Sequence, residues 1–241
     1  MPAPDSALPL AFDGVSFVAD GVTRLDGVSF VVGGTPIAVV LGPNGAGKSL
    51  LLRLAAGLLA PSRGRVRWLG AGAARARERS AVVLQRPVLL RRSVRANLDY
   101  AMSLRGIPRS ERAARGERAL ETARLGGFAV RAARRLSVGE QQRVALARAW
   151  CVGAEVLFLD EPAAGLDPGA TGVLEAAIRG VRDAGTRIVM ATHDLGQARR
   201  MADEVLFLHR GRLLEQTPAA EFFAEPRSVE ARKFLRGEIL E

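Results

Sequence analysis

Gly42-Pro43-Asn44-Gly45-Ala46-Gly47-Lys48-Ser49 has the spacing G-x-x-x-x-G-K-[ST]. Its glycines let backbone N–H groups turn inward around phosphate oxygens, and a helix starting at the end of the loop adds a favourable dipole. Lys48 then reaches the terminal phosphates, the Ser49 hydroxyl serves as a Mg²⁺ ligand, and Leu50 closes the segment. A glycine turn before an ordinary helix is the bland alternative. Against it stands the wholly apolar run 36–41 just upstream, which suits a central strand buried on both faces. Bound nucleotide is the expectation.

Phosphate chemistry also needs an acid for the metal and a group that activates water. Val156-Leu157-Phe158-Leu159-Asp160-Glu161 supplies both. Four apolar strand residues are followed by two carboxylates at the C-terminal end of the strand, where ligands bind in parallel sheets. Asp160 is read as part of the Mg²⁺ shell and Glu161 as the residue that polarises the attacking water. Alone, such a pair is often a solvated turn; beside a phosphate loop it reads as catalytic.

Positioning these groups takes alternating strands and helices. Short β-rich runs at 12–17, 28–32, 37–41 and 66–69 open the chain, and a leucine-rich helix at about 49–59 is stopped by Pro61. Residues 93–135 read as amphipathic helix rich in Ala and Arg, and a further helix runs from Ser137 to about 152. Apolar strands follow at 155–159, 187–191 and 205–208, with crossover helices at 169–182 and 195–201 and two short helices from Pro218 onward. The expected fold is α/β: a P-loop NTPase core with a mostly parallel sheet, an N-terminal antiparallel β subdomain and an α-helical insertion. One domain spans 1–241, with about 1–84 and 154–241 as its ATP-binding core and about 85–153 as its helical subdomain.

Composition narrows the class. The chain has 241 residues, 48% hydrophobic and 25% charged, which is a globular balance. A single cysteine, Cys151, excludes an internal disulfide framework and a multi-cysteine metal site. The longest uncharged stretch, 27–47, is broken by Gly33, Gly34, Pro36, Gly42 and Pro43, so no segment reads as membrane-spanning. The first 14 residues carry an early acid and no basic start, unlike a secretory signal, so a cytoplasmic protein is expected. The formal charge is +10, and residues 75–135 hold 16 arginines against 5 acids. That excess marks a docking face for an anionic membrane surface or acidic partner loops, more economically than a nucleic-acid site.

Leu136-Ser137-Val138-Gly139-Glu140, followed by Gln141-Gln142-Arg143-Val144-Ala145-Leu146-Ala147-Arg148-Ala149, resembles the signature segment of ATP-binding-cassette proteins. Gln85, Ala164-Gly165-Leu166-Asp167 and Thr192-His193-Asp194 match further motifs of that family in order, so the resemblance covers about 12–211. It implies ATP with Mg²⁺, the ion held by Ser49, Gln85 and Asp160, and hydrolysis assisted by Glu161, His193 and Gln85. It also implies a homodimer closing over two ATP molecules. Ser137, Gly139 and Glu140 would face the ATP of the opposite copy, and Asp167 would lie at the dimer interface. Independently, Ser137 and Gly139 stand where a helix begins, and a hydroxyl with backbone donors there suits an anion. A plain N-cap by Ser137 is the simpler reading. Val138 and Glu140 depart from the usual glycine and glutamine, and Leu50 and Ala163 from common hydroxyl residues. The aromatic that often stacks on adenine is replaced by Ala19, with Phe17 the nearest substitute. His209 and Cys151 are read as structural.

The same resemblance implies the separate ATPase subunit of a transporter, on the cytoplasmic face of the membrane. It would drive an integral membrane permease through the segment 86–94. Residues 85–93 and 192–211 are similar to ATPases of bacterial oxyanion importers, tungstate systems first and molybdate and phosphate systems near them. A substrate-binding protein is then a further implied partner. Two other readings stay open: an ATPase of an exporter or lipid-trafficking complex, and a soluble cassette protein acting on ribosomes or nucleic acid. The latter usually has two cassettes or a long coiled-coil insertion, so no nucleic-acid partner is expected.

Overall fold

The computed structural model describes residues 6–238. Residues 1–5 and 239–241 lie outside that description, and with them part of the N-terminal segment read above. In chain order the strands are β1 (Leu10–Ala19), β2 (Val22–Val32), β3 (Ile37–Leu41), β4 (Arg63–Trp68), β5 (Ser80–Val83), β6 (Val156–Asp160), β7 (Arg187–Thr192), β8 (Glu204–His209) and β9 (Arg212–Pro218). The α-helices are α1 (Lys48–Ala55), α2 (Val94–Leu104), α3 (Arg109–Thr122), α4 (Val138–Trp150), α5 (Pro168–Asp183), α6 (Leu195–Met201), α7 (Ala219–Ala224) and α8 (Val229–Leu235). The chain divides into two compact units, Met1–Arg77 with Arg187–Glu241, and Glu78–Thr186. The second unit thus takes in β5, β6 and α5 besides the helices expected at 85–153.

In the first unit, β1 pairs antiparallel with β2 and β4. Phe12 and Phe30 sit opposite each other there with rings stacked at 4.4 Å. The remaining strands run in the order β7-β3-β8-β9, parallel except for β9. All five residues of β3 are buried, as a strand flanked on both edges and covered on both faces requires. Leu41 pairs with Thr192 on one side and Phe207 on the other, so the loop leaving β3 starts level with the ends of β7 and β8.

Strand β9 was not legible. Its inward-facing residues are polar, Glu215 and Thr217, so Arg212–Pro218 lacks the apolar alternation that announces a strand. The buried Glu215 carboxylate accepts hydrogen bonds from the Ser228 hydroxyl at 2.6 Å and from the backbone N–H groups of Arg227 and Ser228 at 3.0 and 3.2 Å. Those bonds tie the start of α8 to β9.

In the second unit, β5 and β6 run parallel, with Val83 opposite Leu159. Helices α2, α3 and α4 enclose a core in which Leu98, Met102, Ala119, Leu125 and Val144 are fully buried. Leu89 joins that core whereas Val88 is 69% exposed, so the apolar segment expected to dock a partner is partly committed inside. Several of the arginines also donate to backbone carbonyls. Arg95 donates to the Ala113 carbonyl, Arg105 to Ser80, Arg112 to Ile107 and Arg134 to Leu89, at 2.8 to 3.1 Å. Guanidinium groups here add donors to loop carbonyls (Ile107, Leu89) and to carbonyls of α3 and β5.

Candidate nucleotide site

The phosphate loop runs from Gly42 at the end of β3 to the start of α1. Pro43 accepts from the Ala46 N–H at 3.3 Å, which closes a turn with Asn44 and Gly45 exposed at its tip. Gly45 and Gly47 both have positive φ, the conformation that lets consecutive N–H groups converge. Lys48 is 5% exposed, and its ammonium donates to the carbonyls of Gly42 and Pro43 at 3.0 and 3.1 Å. The charge is therefore held against the inside of its own loop. Ser49 and Leu50, both half-buried, continue the first turn of α1.

His193 follows β7 at the same end of the sheet as Gly42. Its side chain is exposed, and the backbone beside it is pinned. The Asp194 N–H donates to Thr192 Oγ1 at 3.1 Å, and the Asp194 carboxylate caps α6 by accepting from the Gln197 N–H at 3.0 Å. Phe17, half-buried in β1, lies opposite Leu25 of β2.

In the second unit, Asp160 is the buried last residue of β6 and Glu161 follows it half-exposed. Glu161 has φ of 44°, a left-handed conformation that costs a non-glycine residue about 1–2 kcal/mol. Such strain persists where surrounding structure and function require it. The register of β5 against β6 brings Gln85, two residues beyond β5, to the same sheet end as Asp160 and Glu161.

The signature segment is a complete capping box at the start of α4. Ser137 Oγ accepts from the Glu140 N–H at 3.3 Å, and the Glu140 carboxylate accepts from the Ser137 N–H at 2.7 Å. That backbone bond is the main cause holding the Glu140 carboxyl below its ordinary range. Either Glu or Gln can close such a box, so Glu140 keeps the helix start intact. Gly139 is buried against α5, where a Cβ would meet Ala170 Cβ at 3.1 Å, tight enough that the neighbour would have to shift. Asp167 caps α5, its Oδ1 accepting from the Ala170 N–H at 2.8 Å.

Two polar side chains escaped the sequence reading. Asn97, fully buried on α2, accepts from the Leu90 N–H at 2.9 Å and donates to the Ser93 carbonyl at 2.9 Å. Gln142, 1% exposed on α4, donates to the Gln85 carbonyl at 2.6 Å. The available signal was periodicity: Gln142 falls on one helical face with Ala145, Leu146 and Ala149.

A glycine loop between a buried parallel strand and a helix, closed on a buried lysine, defines a phosphate-loop nucleotide-binding protein. Residues 25–164, more than half of the chain, match the family model described as ABC transporter. The chain belongs to that family and is an ATP-binding subunit with ATPase chemistry. It is 37% identical to the phosphate import ATP-binding protein PstB 2 of Natronomonas pharaonis, over 96% of this chain and 87% of that protein. It is 39% identical to the molybdenum import ATP-binding protein ModC of Mycobacterium tuberculosis, over 85% of this chain but 59% of that longer protein. Further relatives are named for import of Fe(3+) ions, methionine and nickel. The solved structure of cbiO1 from Clostridium perfringens, part of the ABC transporter complex cbiONQ, superposes with a TM-score of 0.79 at 30% identity, covering 90% of each chain. No helix among the described residues is long and apolar enough to cross a membrane.

Proposed function

We propose that this chain is the ATP-hydrolysing subunit of a membrane importer, acting as a homodimer that closes over two ATP molecules. The observation that carries the reading is the buried Lys48 ammonium held inside its glycine loop, in a chain whose relatives are named for import. Lys48 and the loop N–H groups receive the phosphates. Ser49 and Asp160 offer a hydroxyl and a carboxylate, the hard oxygen donors that suit Mg²⁺. Gln85 adds an amide oxygen. When bound, the ion offsets charge on the transferred phosphoryl group. Glu161 accepts the proton of the attacking water, His193 hydrogen-bonds the terminal phosphate, and Gln85 orients the water.

Ser137, Gly139 and Glu140 complete the ATP site of the opposite copy, with Asp167 at the dimer interface. The partners are an integral membrane permease and a substrate-binding protein, and the subunit works peripherally on the cytoplasmic face. The cargo is an oxyanion such as tungstate; the relatives named for phosphate, molybdenum and anion import support that chemistry.

Glu161→Gln tests the engine. It should retain ATP, form an ATP-dependent dimer on gel filtration and lose roughly 100-fold or more in turnover. Undiminished hydrolysis would remove Glu161 from the mechanism. Uptake of tungstate, molybdate and phosphate in a deletion strain tests the cargo, and unchanged uptake of all three sinks the oxyanion reading.

A further inference from the structure

Residues 85–93 follow β5 without belonging to a strand or helix, yet side chains hold their backbone at short intervals. Gln142 donates to the Gln85 carbonyl at 2.6 Å, Arg148 to Val88 at 2.8 Å and Arg134 to Leu89 at 2.8 Å. Asn97 holds Leu90 and Ser93 from α2. Two of these struts, Gln142 and Arg148, stand on α4, the helix that Ser137 begins. Gln142 lies five residues after Ser137, a span of about 7.5 Å along the helix.

Packing does not explain a glutamine at 142. The side chain is 1% exposed on an otherwise apolar face, and its Oε1 has no hydrogen-bond partner among the described residues. A buried acceptor left unsatisfied is unfavourable, and a methionine would fill the same space without one. What the glutamine uniquely supplies is the N–H that grips Gln85.

We infer that Gln142 is a positioning residue: its amide fixes the Gln85 backbone to α4, so the helix start at Ser137 and the side chain of Gln85 move as one piece. The inference rests on the role given to Gln85 above. The Gln142 to Gln85 hydrogen bond is the link that sets where Gln85 stands relative to α4.

Gln142→Met, Gln85→Ala and the double variant decide it, with steady-state ATPase kinetics and a melting temperature for each. Gln142→Met should melt close to the parent, because loss of the orphaned Oε1 offsets loss of the donor to the Gln85 carbonyl while the volume is kept. Its kcat should fall about tenfold with KM for ATP within about twofold, and the double variant should match Gln85→Ala alone. Parent-like kcat in Gln142→Met overturns the inference. So does a double variant whose loss is the product of the two single losses, and so does a lowered melting temperature that tracks the lost activity. If Gln85→Ala itself turns over at the parent rate, the role of Gln85 falls and the inference falls with it, whatever Gln142→Met does.

Discussion

The Gly211 N–H donates to the Ala46 carbonyl at 3.0 Å, so the β8–β9 turn is bonded directly to the phosphate loop. The Gly211 carbonyl in turn accepts from the Asp26 N–H at 2.9 Å, and Asp26 pairs with the Arg212 guanidinium at 2.7 Å. Three segments distant in sequence therefore set the height of the loop over the sheet. Its shape is imposed from outside as well as by its own glycines.

Gly211→Ala tests that brace. Gly211 has φ of 76°, and a Cβ there would lie 2.5 Å from the Arg24 carbonyl oxygen. The left-handed backbone and the clash together should cost about 2 kcal/mol. For a chain of this size that is a fall of roughly 4–8 °C in melting temperature. ATP affinity should weaken too, because the turn moves with the loop it supports. A melting temperature within a degree of the parent would show that the turn yields freely.

The phosphate loop and the two carboxylates at the end of β6 were legible because local chemistry dictates them: glycine spacing, a buried run, then acids. Helices α2 to α5 were legible from their periodicity. The brace from Gly211, the tie from Glu215 and the grip of Gln142 were not. Each uses a polar residue or a bare backbone group whose partner is set by tertiary contact, and no local pattern announces such a partner. The arginine excess was legible only as charge. Charge per segment is visible in sequence, whereas its use against the carbonyls of Ser80, Leu89, Ile107 and Ala113 is not.

Lys48 is one of two lysines among 35 cationic residues, so charge alone does not account for it. Its ammonium fits between two carbonyls about 3 Å away in a space with almost no solvent access. The planar fork of arginine needs a wider, flatter acceptor set. Lys48→Arg should therefore lose ATP binding about as severely as Lys48→Ala, each by roughly tenfold or more, equivalent to about 1.4 kcal/mol. Titration with a fluorescent ATP analogue measures both. Parent-like affinity in Lys48→Arg would mean that the loop reads charge and not shape.

Glu215→Ala should loosen the C-terminal helices. It leaves the Ser228 hydroxyl and the N–H groups of Arg227 and Ser228 without their shared acceptor. Losing hydrogen bonds to a buried carboxylate should cost about 3 kcal/mol. Limited proteolysis should then cut between β9 and α8 well before the rest of the chain. A cleavage pattern identical to the parent's would show that α8 is held by Phe234 against Phe207 alone.

Cys151 should be inert to thiol reagents in the folded protein and should set a limit on alkaline stability. It is 5% exposed at the end of α4, and burial, with a smaller contribution from the Asp99 charge, pushes its thiol up to about 12 from an ordinary 9.0. The folded state therefore keeps the proton where the unfolded chain releases it. Stability from this source is complete below pH 9 and declines as pH rises from about 9 toward 12, by about 1 kcal/mol at pH 10. Denaturant titrations at pH 8 and pH 10 on the parent and Cys151→Ala isolate the effect, since tyrosine and lysine titration is common to both. The parent should lose more stability than the variant between the two pH values. Equal losses, or rapid labelling of the folded parent at pH 8, would show that the thiol is reached by solvent and titrates normally.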